Sequence, residues 1–216
     1  MLPQNLTPAQ VRVLGSLIEK ELSTPDHYPL SLNALTGACN QTSNREPVMT
    51  LDEGDVSGAI DTLRRASLVR SFQSSGSRVA KYSHLLAEYS ELSRTELAVL
   101  CVLALRGPQT LAEVKLRAAR LVAGEDHDAI EPAVEAMIAR LPTPVVTQLP
   151  RRPGQKEIRY AHLFGGAVSY DAEDAPAATR IAPTDRIAAL EELVRELRSE
   201  VADLRAELAE FRRQFE

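Results

Sequence analysis

Two matching segments decide the fold: Lys81-Tyr82-Ser83-His84-Leu85 and Arg159-Tyr160-Ala161-His162-Leu163. Each contains a basic residue, a tyrosine, a variable residue, a histidine and a leucine in the same order. Each also closes a stretch with the composition of a β-hairpin, and such a match at equivalent places indicates an internal repeat. We therefore expect one structural unit to occur twice in this chain.

Three helices are predicted before the first hairpin. The first follows Thr7, a good N-cap, and Pro8, which suits the first helical position. The second begins near Ser31, and the third begins at Asp52, where acidic side chains favour the positive end of the helix dipole. Two strands complete the unit, at residues 69–72 and 78–82.

The same order of elements begins again at Ser93, whose spacing to Glu96 is that of a capping box. Two further helices and a second hairpin follow, at residues 110–121, 128–141, 145–149 and 157–160. Three helices followed by a hairpin is the winged-helix arrangement, a variant of the helix-turn-helix. The sequence therefore predicts a mainly α-helical fold with small β-hairpins, built from two tandem winged-helix domains.

The polar segment before the third helix carries the most specific motif of the chain. It reads Leu35-Thr36-x-Ala38-Cys39-Asn40-Gln41-x-Ser43-Asn44-Arg45-Glu46-Pro47-Val48-Met49. This motif resembles the signature of the YceH-like bacterial proteins, and the resemblance extends over residues 5–165. It implies a tandem winged-helix fold and implies no particular biochemical activity.

The composition changes after Leu163, where glycine, alanine, proline and acidic residues predict a flexible linker. Beyond the linker, apolar residues are spaced alternately three and four positions apart, which is the heptad pattern of a coiled coil. We expect these residues to form a dimer interface: Ile187, Leu190, Val194, Leu197, Val201, Leu204, Leu208 and Phe211.

The heptads also predict the direction of pairing. β-Branched residues at the a positions and leucines at the d positions favour a parallel dimer. The flanking charges agree, because a parallel arrangement pairs Glu200 with Arg205 and Glu207 with Arg212 across the dimer. The alternative is that this helix folds back onto its own domains. A narrow apolar stripe suits a second helix better than a globular surface, so we favour the homodimer.

The chain of 216 residues has room for more than one compact unit. Its predicted organisation is a first winged-helix domain at 1–86, a second at 87–165, a flexible linker at 166–183 and a coiled-coil helix at 184–216. The amino terminus lacks the basic start and apolar stretch of a signal peptide, and no apolar run approaches the ~20 residues of a spanning helix. We therefore expect a soluble, cytoplasmic protein that does not contact membranes.

No group of residues predicts catalysis, a cofactor or a metal site. His84 and His162 occupy matched places in the two hairpins, which favours a repeated structural role. Cys39 and Cys101 each stand alone in an apolar helical context, as core thiols do. Glycine-rich phosphate loops and nucleophile-elbow motifs are absent from the sequence. We expect a protein that is not an enzyme and has no cofactor.

The net charge of -5 argues at first against a nucleic-acid partner, yet the excess acid lies in the tail. Residues 1–85 contain 8 basic and 8 acidic side chains, residues 86–165 contain 10 and 10, and residues 166–216 contain 7 and 12. The polar loop, one helix of each repeat and both hairpins offer side chains for phosphates or bases. These candidates are Asn40, Gln41, Ser43, Asn44, Arg45, Arg64, Arg65, Arg78, Lys81, Arg117, Arg120, Arg151, Arg152, Lys156 and Arg159.

Each group of candidates also has a structural interpretation. The loop residues are suited to satisfying backbone groups in a long turn, with Arg45 and Glu46 as a local charge pair, and we favour this interpretation for the loop. The basic second hairpin fits a solvated tip as well as a phosphate contact. Acidic residues at the start of both third helices argue against base readout there.

Two hypotheses about function remain open. The first is a dimeric, DNA-binding, regulator-like protein whose hairpins contact phosphates. The second is a protein-interaction adaptor that keeps the winged-helix scaffold without binding DNA, since a fold does not fix a function. Paired winged helices on a dimer would supply the multivalency that weak contacts need, so we favour DNA binding.

Overall fold

The structure is a computed structural model that describes residues 4–73, 79–122, 127–151, 155 and 157–166. The predicted heptad helix, its eight dimerisation residues and nearly all of the predicted linker lie outside the described residues. The described residues form a mainly helical fold with two small antiparallel sheets, which confirms the predicted class of fold at that level.

The first helix has the N-cap predicted from the sequence, and Asp52, predicted as the start of the third helix, is the N-cap of that helix. The side chain of Thr7 accepts a hydrogen bond from the amide of Gln10, and Asp52 does the same for Asp55. Val56, Ile60 and Leu63 of the third helix are buried, as the apolar stripe predicts. The elements are α1 (Pro8–Ser23), β1 (Leu30–Ser31), α2 (Leu32–Cys39), α3 (Glu53–Arg65), β2 (Val69–Phe72) and β3 (Lys81–His84).

A short helix, α4 (Leu86–Ser90), leads to the second repeat and contains the predicted boundary between residues 86 and 87. Ser93 caps the next helix with the predicted capping box to Glu96. The third helix of this repeat is shorter than predicted, because a 3₁₀ turn at His127–Ala129 precedes it. The elements are α5 (Arg94–Arg106), β4 (Gln109–Thr110), α6 (Leu111–Ala118), α7 (Ile130–Ala139), β5 (Val146–Leu149) and β6 (Arg159–His162).

Each hairpin belongs to a three-stranded antiparallel sheet, in the orders β1-β3-β2 and β4-β6-β5. The matched tyrosines hold equivalent positions, because Tyr82 pairs with Leu30 and Tyr160 pairs with Gln109. The sequence did not predict the edge strands β1 and β4, since two residues are too few to show the alternation of a strand. Strand β3 begins later than predicted, at Lys81. It ends at His84, which pairs with Val69.

The matched histidines make the same local hydrogen bond in both repeats. Nδ1 of His84 accepts from the amide of Leu86 at 3.3 Å, and Nδ1 of His162 accepts from the amide of Phe164 at 3.2 Å. In each case the imidazole satisfies a backbone group where the chain leaves the sheet. The repeated Tyr-x-His-Leu motif thus corresponds to a repeated structural bond.

Helix α5 lies at the centre of the compact unit Met1–Ser169. Every residue from Leu97 to Leu105 is buried, and the helix packs against α1 of the first repeat and against α6 and α7 of the second. Gly15 allows α1 to approach closely, since a Cβ there would lie 3.0 Å from Cδ2 of Leu105. Both repeats therefore share one hydrophobic core within a single compact unit, Met1–Ser169.

Two sequence expectations concern features of this core. Cys39 and Cys101 are both buried free thiols, as their apolar contexts predict. Burial raises the pKa of both thiols above the ordinary value. No helix in the described part of the chain is long and apolar enough to cross a membrane.

Candidate nucleic-acid interface

The polar loop between α2 and α3 is held by its own side chains. The side-chain amide of Asn40 forms two hydrogen bonds with the backbone of Leu51. Nδ2 donates to the carbonyl at 2.7 Å, and Oδ1 accepts from the N–H at 2.8 Å. Both hydrogen-bonding ends of this side chain are therefore engaged inside the protein. This is the turn-type use of asparagine that the sequence favoured over base contact.

Arg45 is buried, with only 4% of its surface exposed. Its Nη2 and Nη1 donate to the two carboxylate oxygens of Glu19 at 2.6 and 3.1 Å, and its Nε donates to the carbonyl of Ala38 at 3.1 Å. This bidentate pair corrects two expectations. Arg45 pairs with Glu19 on α1 and not with the neighbouring Glu46, and its guanidinium does not lie on the surface where a phosphate could reach it.

The remaining loop candidates are partly engaged. Oε1 of Gln41 accepts from Nη2 of Arg45 at 3.1 Å, and Oδ1 of Asn44 accepts from Nη1 of Arg106 at 3.0 Å. Asn44 has a φ of 56°, a left-handed conformation that asparagine tolerates better than most residues. Ser43 is exposed. Of the five loop candidates, Ser43 is thus the one best placed to meet a partner.

Arg12 is a second buried arginine, which the sequence prediction missed. It is 2% exposed and donates to the carbonyl of Cys39 at 3.0 Å and to the carbonyl of Pro47 at 2.5 Å. Burial lowers the pKa of its guanidinium, and the nearby charge of Arg45 lowers it further. Its position between Val11 and Val13, two buried apolar residues of α1, was the available signal. Two buried arginines, Arg12 and Arg45, therefore hold the backbone at both ends of the loop.

Three exposed arginines of the first repeat gather around an open groove between the end of α3 and strand β2. Arg64, Arg65 and Arg70 line it. Nη1 of Arg64 lies 3.6 Å from Oδ1 of Asp61, and Nη2 of Arg70 lies 3.2 Å from Oε1 of Glu88. All four partners of these pairs are about half exposed, so the pairs are weak and leave the arginines accessible to other anions.

The hairpin beside this groove adds a cation and an aromatic ring. The guanidinium carbon of Arg70 lies 4.8 Å from the ring centroid of Phe72, which is a cation–π contact. Lys81 is exposed on β3 and pairs with Phe72 in the sheet register. Arg78 lies outside the described residues. The groove and the adjoining strands therefore form one positively charged surface of the first repeat.

The two ends of α3 carry opposite charge. Glu53 and Asp55 are exposed at the first turn, and Arg64 and Arg65 are exposed at the last. Glu53 and Arg65 are separated by about 18 Å along the helix axis, at 1.5 Å per residue. This exceeds the Debye length of about 8 Å at physiological ionic strength, so the acidic end does not cancel the basic end.

The basic candidates of the second repeat are more engaged. Arg117 donates to Oε1 of Gln109 and to Oε1 of Glu113, the latter at 3.4 Å. Arg159 donates to the carbonyl of Pro108 at 3.1 Å. Arg120 and Arg151 are exposed. Arg152 and Lys156 lie outside the described residues, so the structure gives no position for two of the four basic residues predicted at this hairpin.

Titratable groups inside the fold have structural partners. The imidazole Nε2 of His84 contacts the carboxylate of Glu21, and this hydrogen bond lowers the pKa of Glu21. Burial lowers the pKa of His162 to about 4, so that this imidazole is neutral at pH 7. Within the described ranges, no three His, Cys, Asp or Glu side chains come together in a group that could hold a metal ion.

Comparison with known proteins identifies the family. The family model described as "Protein of unknown function, DUF480" matches residues 6–155. A UPF0502 protein of Pelobacter propionicus is 50% identical over 217 residues, which cover 98% of this chain and 98% of the relative. A UPF0502 protein of Opitutus terrae is 49% identical over 194 residues, covering 89% and 83% of the two chains. The chain belongs to the DUF480 (UPF0502) family of bacterial proteins.

Proposed function

We propose that this chain is a dimeric, tandem winged-helix protein that binds duplex DNA, mainly through the phosphate backbone. The order helix, strand, helix, helix, strand, strand occurs twice and fits two winged-helix units. Both repeats also place their hairpin in a three-stranded sheet beside the third helix. These regularities support the tandem winged-helix architecture. The class of partner is inferred from the charged surfaces.

The observation that carries the proposal is the cationic groove between α3 and β2. In a helix-turn-helix fold, the recognition helix enters the major groove while neighbouring elements contact the backbone. Arg64, Arg65 and Arg70 line the groove beside α3, the third helix of the first repeat, on the side of the hairpin. Guanidinium groups bind phosphate oxygens with charge-assisted hydrogen bonds, so this groove suits one strand of a duplex.

The same helix argues for low sequence specificity. Base readout in the major groove commonly uses residues at the start of the recognition helix. Here that end carries Glu53 and Asp55, which repel phosphates, and Asp55 also closes the capping box. Contacts would therefore be made by the last turn of α3 and by the hairpin, which favours backbone binding over direct readout.

Dimerisation would strengthen such weak contacts. The heptads at 187–211 predict a parallel coiled coil that brings two copies of the groove onto one duplex. Once one copy is bound, the second binds at a high effective concentration. A protein with few phosphate contacts per chain could then bind DNA measurably at physiological salt.

The test is a fluorescence-polarisation titration of the full chain with random duplex DNA at 50 and 200 mM salt. Each lost phosphate contact should reduce the slope of log K against log salt by about 0.9. We expect Arg64→Glu/Arg65→Glu to flatten this slope by about 2 and to weaken binding. Lys115→Glu, tested beside the single variant Arg65→Glu, is the control with an equal change of net charge on the second repeat, at a lysine that pairs with Glu131 and is not a candidate phosphate contact.

A protein-interaction adaptor is the second candidate, and a specific observation favours it. The exposed face of α3 carries small residues, Gly54 and Gly58, together with Glu53 and Asp55 at its start. Such a face suits close packing of another protein. The same titration separates the two functions, because the absence of duplex binding at 50 mM salt would exclude DNA binding through the groove and leave the adaptor.

A further inference from the structure

The hairpin of the first repeat carries an exposed aromatic ring between two cations. Phe72, on β2, is 40% exposed, whereas Val69 at the start of the same strand is buried. Phe72 pairs directly with Lys81 of β3, and residues paired in this way lie on the same face of a sheet. Arg70 lies two positions earlier, on the same face, with its guanidinium carbon 4.8 Å from the ring centroid. We call Arg70, Phe72 and Lys81 the stacking face.

The ring of Phe72 does not support the fold. In the part of the chain that the structure describes, Phe72 belongs neither to the hydrophobic core nor to the partly buried residues packed against it. By contrast, Tyr82 of the neighbouring strand packs against the core. The ring of Phe72 is therefore available to a partner, and replacing it with another apolar side chain should leave the protein folded.

The stacking face continues the cationic groove between α3 and β2. Arg70 belongs to both, because it lines the groove together with Arg64 and Arg65. The carboxylate of Glu88 lies 3.2 Å from Nη2 of Arg70, but both side chains are about half exposed, so this pair is weak. The edge of a guanidinium donates hydrogen bonds to phosphate oxygens, while its flat face stacks on rings. Arg70 can therefore bind the DNA backbone and a base at the same time.

A cationic groove that ends at an aromatic ring is typical of proteins that bind single strands. The groove follows the phosphates, and the ring stacks on a base of any type, because every base has a π-face. Inside a duplex both faces of a base are covered by its neighbours, so only an unpaired base can stack on Phe72. A surface for phosphates alone would gain nothing from this ring.

We propose that the stacking face binds an unpaired base, and that the preferred partner of this chain is DNA in which a single-stranded segment adjoins a duplex. The base stacks on the ring of Phe72 and on the guanidinium of Arg70, and Lys81 binds a phosphate of the same strand. The inference rests on the proposed function, because the groove has to hold the neighbouring backbone. It adds the form of DNA that is preferred, which the charge of the groove does not select.

The test is a fluorescence-polarisation titration of the full chain with three probes built on one duplex. The first is blunt and measures binding through the groove alone. The second carries a short thymidine overhang, and the third carries an overhang of abasic sites with the same number of phosphates. The thymidine probe should bind about five- to a hundredfold more tightly than the abasic probe, as expected for a stacked base. Because the two overhangs have equal charge, this ratio measures stacking and not phosphate binding.

Two variants and one control locate the contact. Phe72→Leu keeps an apolar side chain but removes the ring, and it should bring the ratio of the two affinities close to one. Phe72→Trp has a larger ring and should retain the ratio or raise it. Leu116→Ala changes another exposed apolar residue, on α6 of the second repeat, and should leave the ratio unchanged. Thermal denaturation checks that each variant is folded.

Different results would overturn the inference and the proposed function. Equal affinity for the thymidine and abasic probes, with the blunt probe still bound, would overturn the inference and leave binding through the groove. Failure of all three probes to bind would exclude DNA binding through the groove, and the inference with it. A ratio that is unchanged in folded Phe72→Leu, or lost equally in Leu116→Ala, would show that the base does not stack on Phe72.

Discussion

Arg45 and Glu19 form a buried, bidentate ion pair that joins the loop after α2 to helix α1, with Nη2 and Oε2 2.6 Å apart. These residues are 26 positions apart in the sequence, and the segment between them includes all of α2. The pair therefore fixes the loop against the helix that also packs on α5.

The first prediction concerns this pair. Arg45→Ala should reduce the free energy of unfolding by about 3–5 kcal/mol, because it leaves the carboxylate of Glu19 buried without a partner. Urea denaturation at pH 7 measures the effect. Glu46→Ala is the matched control, since Glu46 is exposed and should change stability by less than about 0.5 kcal/mol. A loss below 1 kcal/mol in Arg45→Ala would contradict a structural role for the pair.

The second prediction concerns His162, whose pKa burial lowers to about 4. Between pH 6.5 and pH 4 the unfolded chain binds a proton at this residue and the folded chain does not, so folding stability falls as the pH is lowered through that window. The loss should be on the order of 3 kcal/mol, at 1.36 kcal/mol for each unit of pKa difference.

Two measurements check this prediction. NMR titration of the His162 ring should show a midpoint near the value of about 4. His162→Asn keeps an acceptor for the amide of Phe164 and has no proton to bind. Its stability should therefore depend less steeply on pH between 6.5 and 4 than that of the parent chain. Parallel stability curves for the two proteins would contradict the prediction, because they would show that His162 has the same pKa in the folded and the unfolded chain.

The third prediction concerns the close approach of α1 to α5. Gly15→Ala should destabilise the protein by about 1–3 kcal/mol. The new Cβ would lie 3.0 Å from Cδ2 of Leu105 and 3.3 Å from the Cβ of Ala104. Gly37→Ala in α2 is the control, as a Cβ there meets nothing within 4 Å and alanine favours a helix. Thermal denaturation should therefore show opposite signs for the two variants.

The fourth prediction concerns the association of two chains. Sedimentation velocity should give a dimer for the full chain and a monomer for a chain ending at Ala182, which lacks the heptads. Equal monomer masses would exclude the coiled coil as a dimerisation element. A dimer of both chains would place the interface in the globular part instead.

Features that depend on neighbouring residues were predictable from the sequence. Thr7 and Ser93 cap their helices as expected, because an N-cap and its partner are only three residues apart. The edge strands β1 and β4 were not predictable, since each exists only through pairing with a strand that is distant in the sequence. A short strand has no pattern of its own.

The candidate site divides in the same way. The exposure of Arg64 and Arg65 follows from the helical wheel of α3, and the structure places both in one groove with Arg70. The burial of Arg45 depends on its ion pair with Glu19, a residue of α1 that is distant in the sequence. Charge alone could not distinguish a buried structural arginine from a surface one, because that depends on which carboxylate the fold brings near.

The shared core around α5 limits how this protein could respond to a signal. If α1 moved away from α5, apolar residues of both helices would be exposed to water, at about 25 cal/mol for every Å². A ligand at one repeat therefore has little means of changing the angle between the two repeats. Any switch in activity would have to act elsewhere, by altering the charge of a surface or the association of two chains.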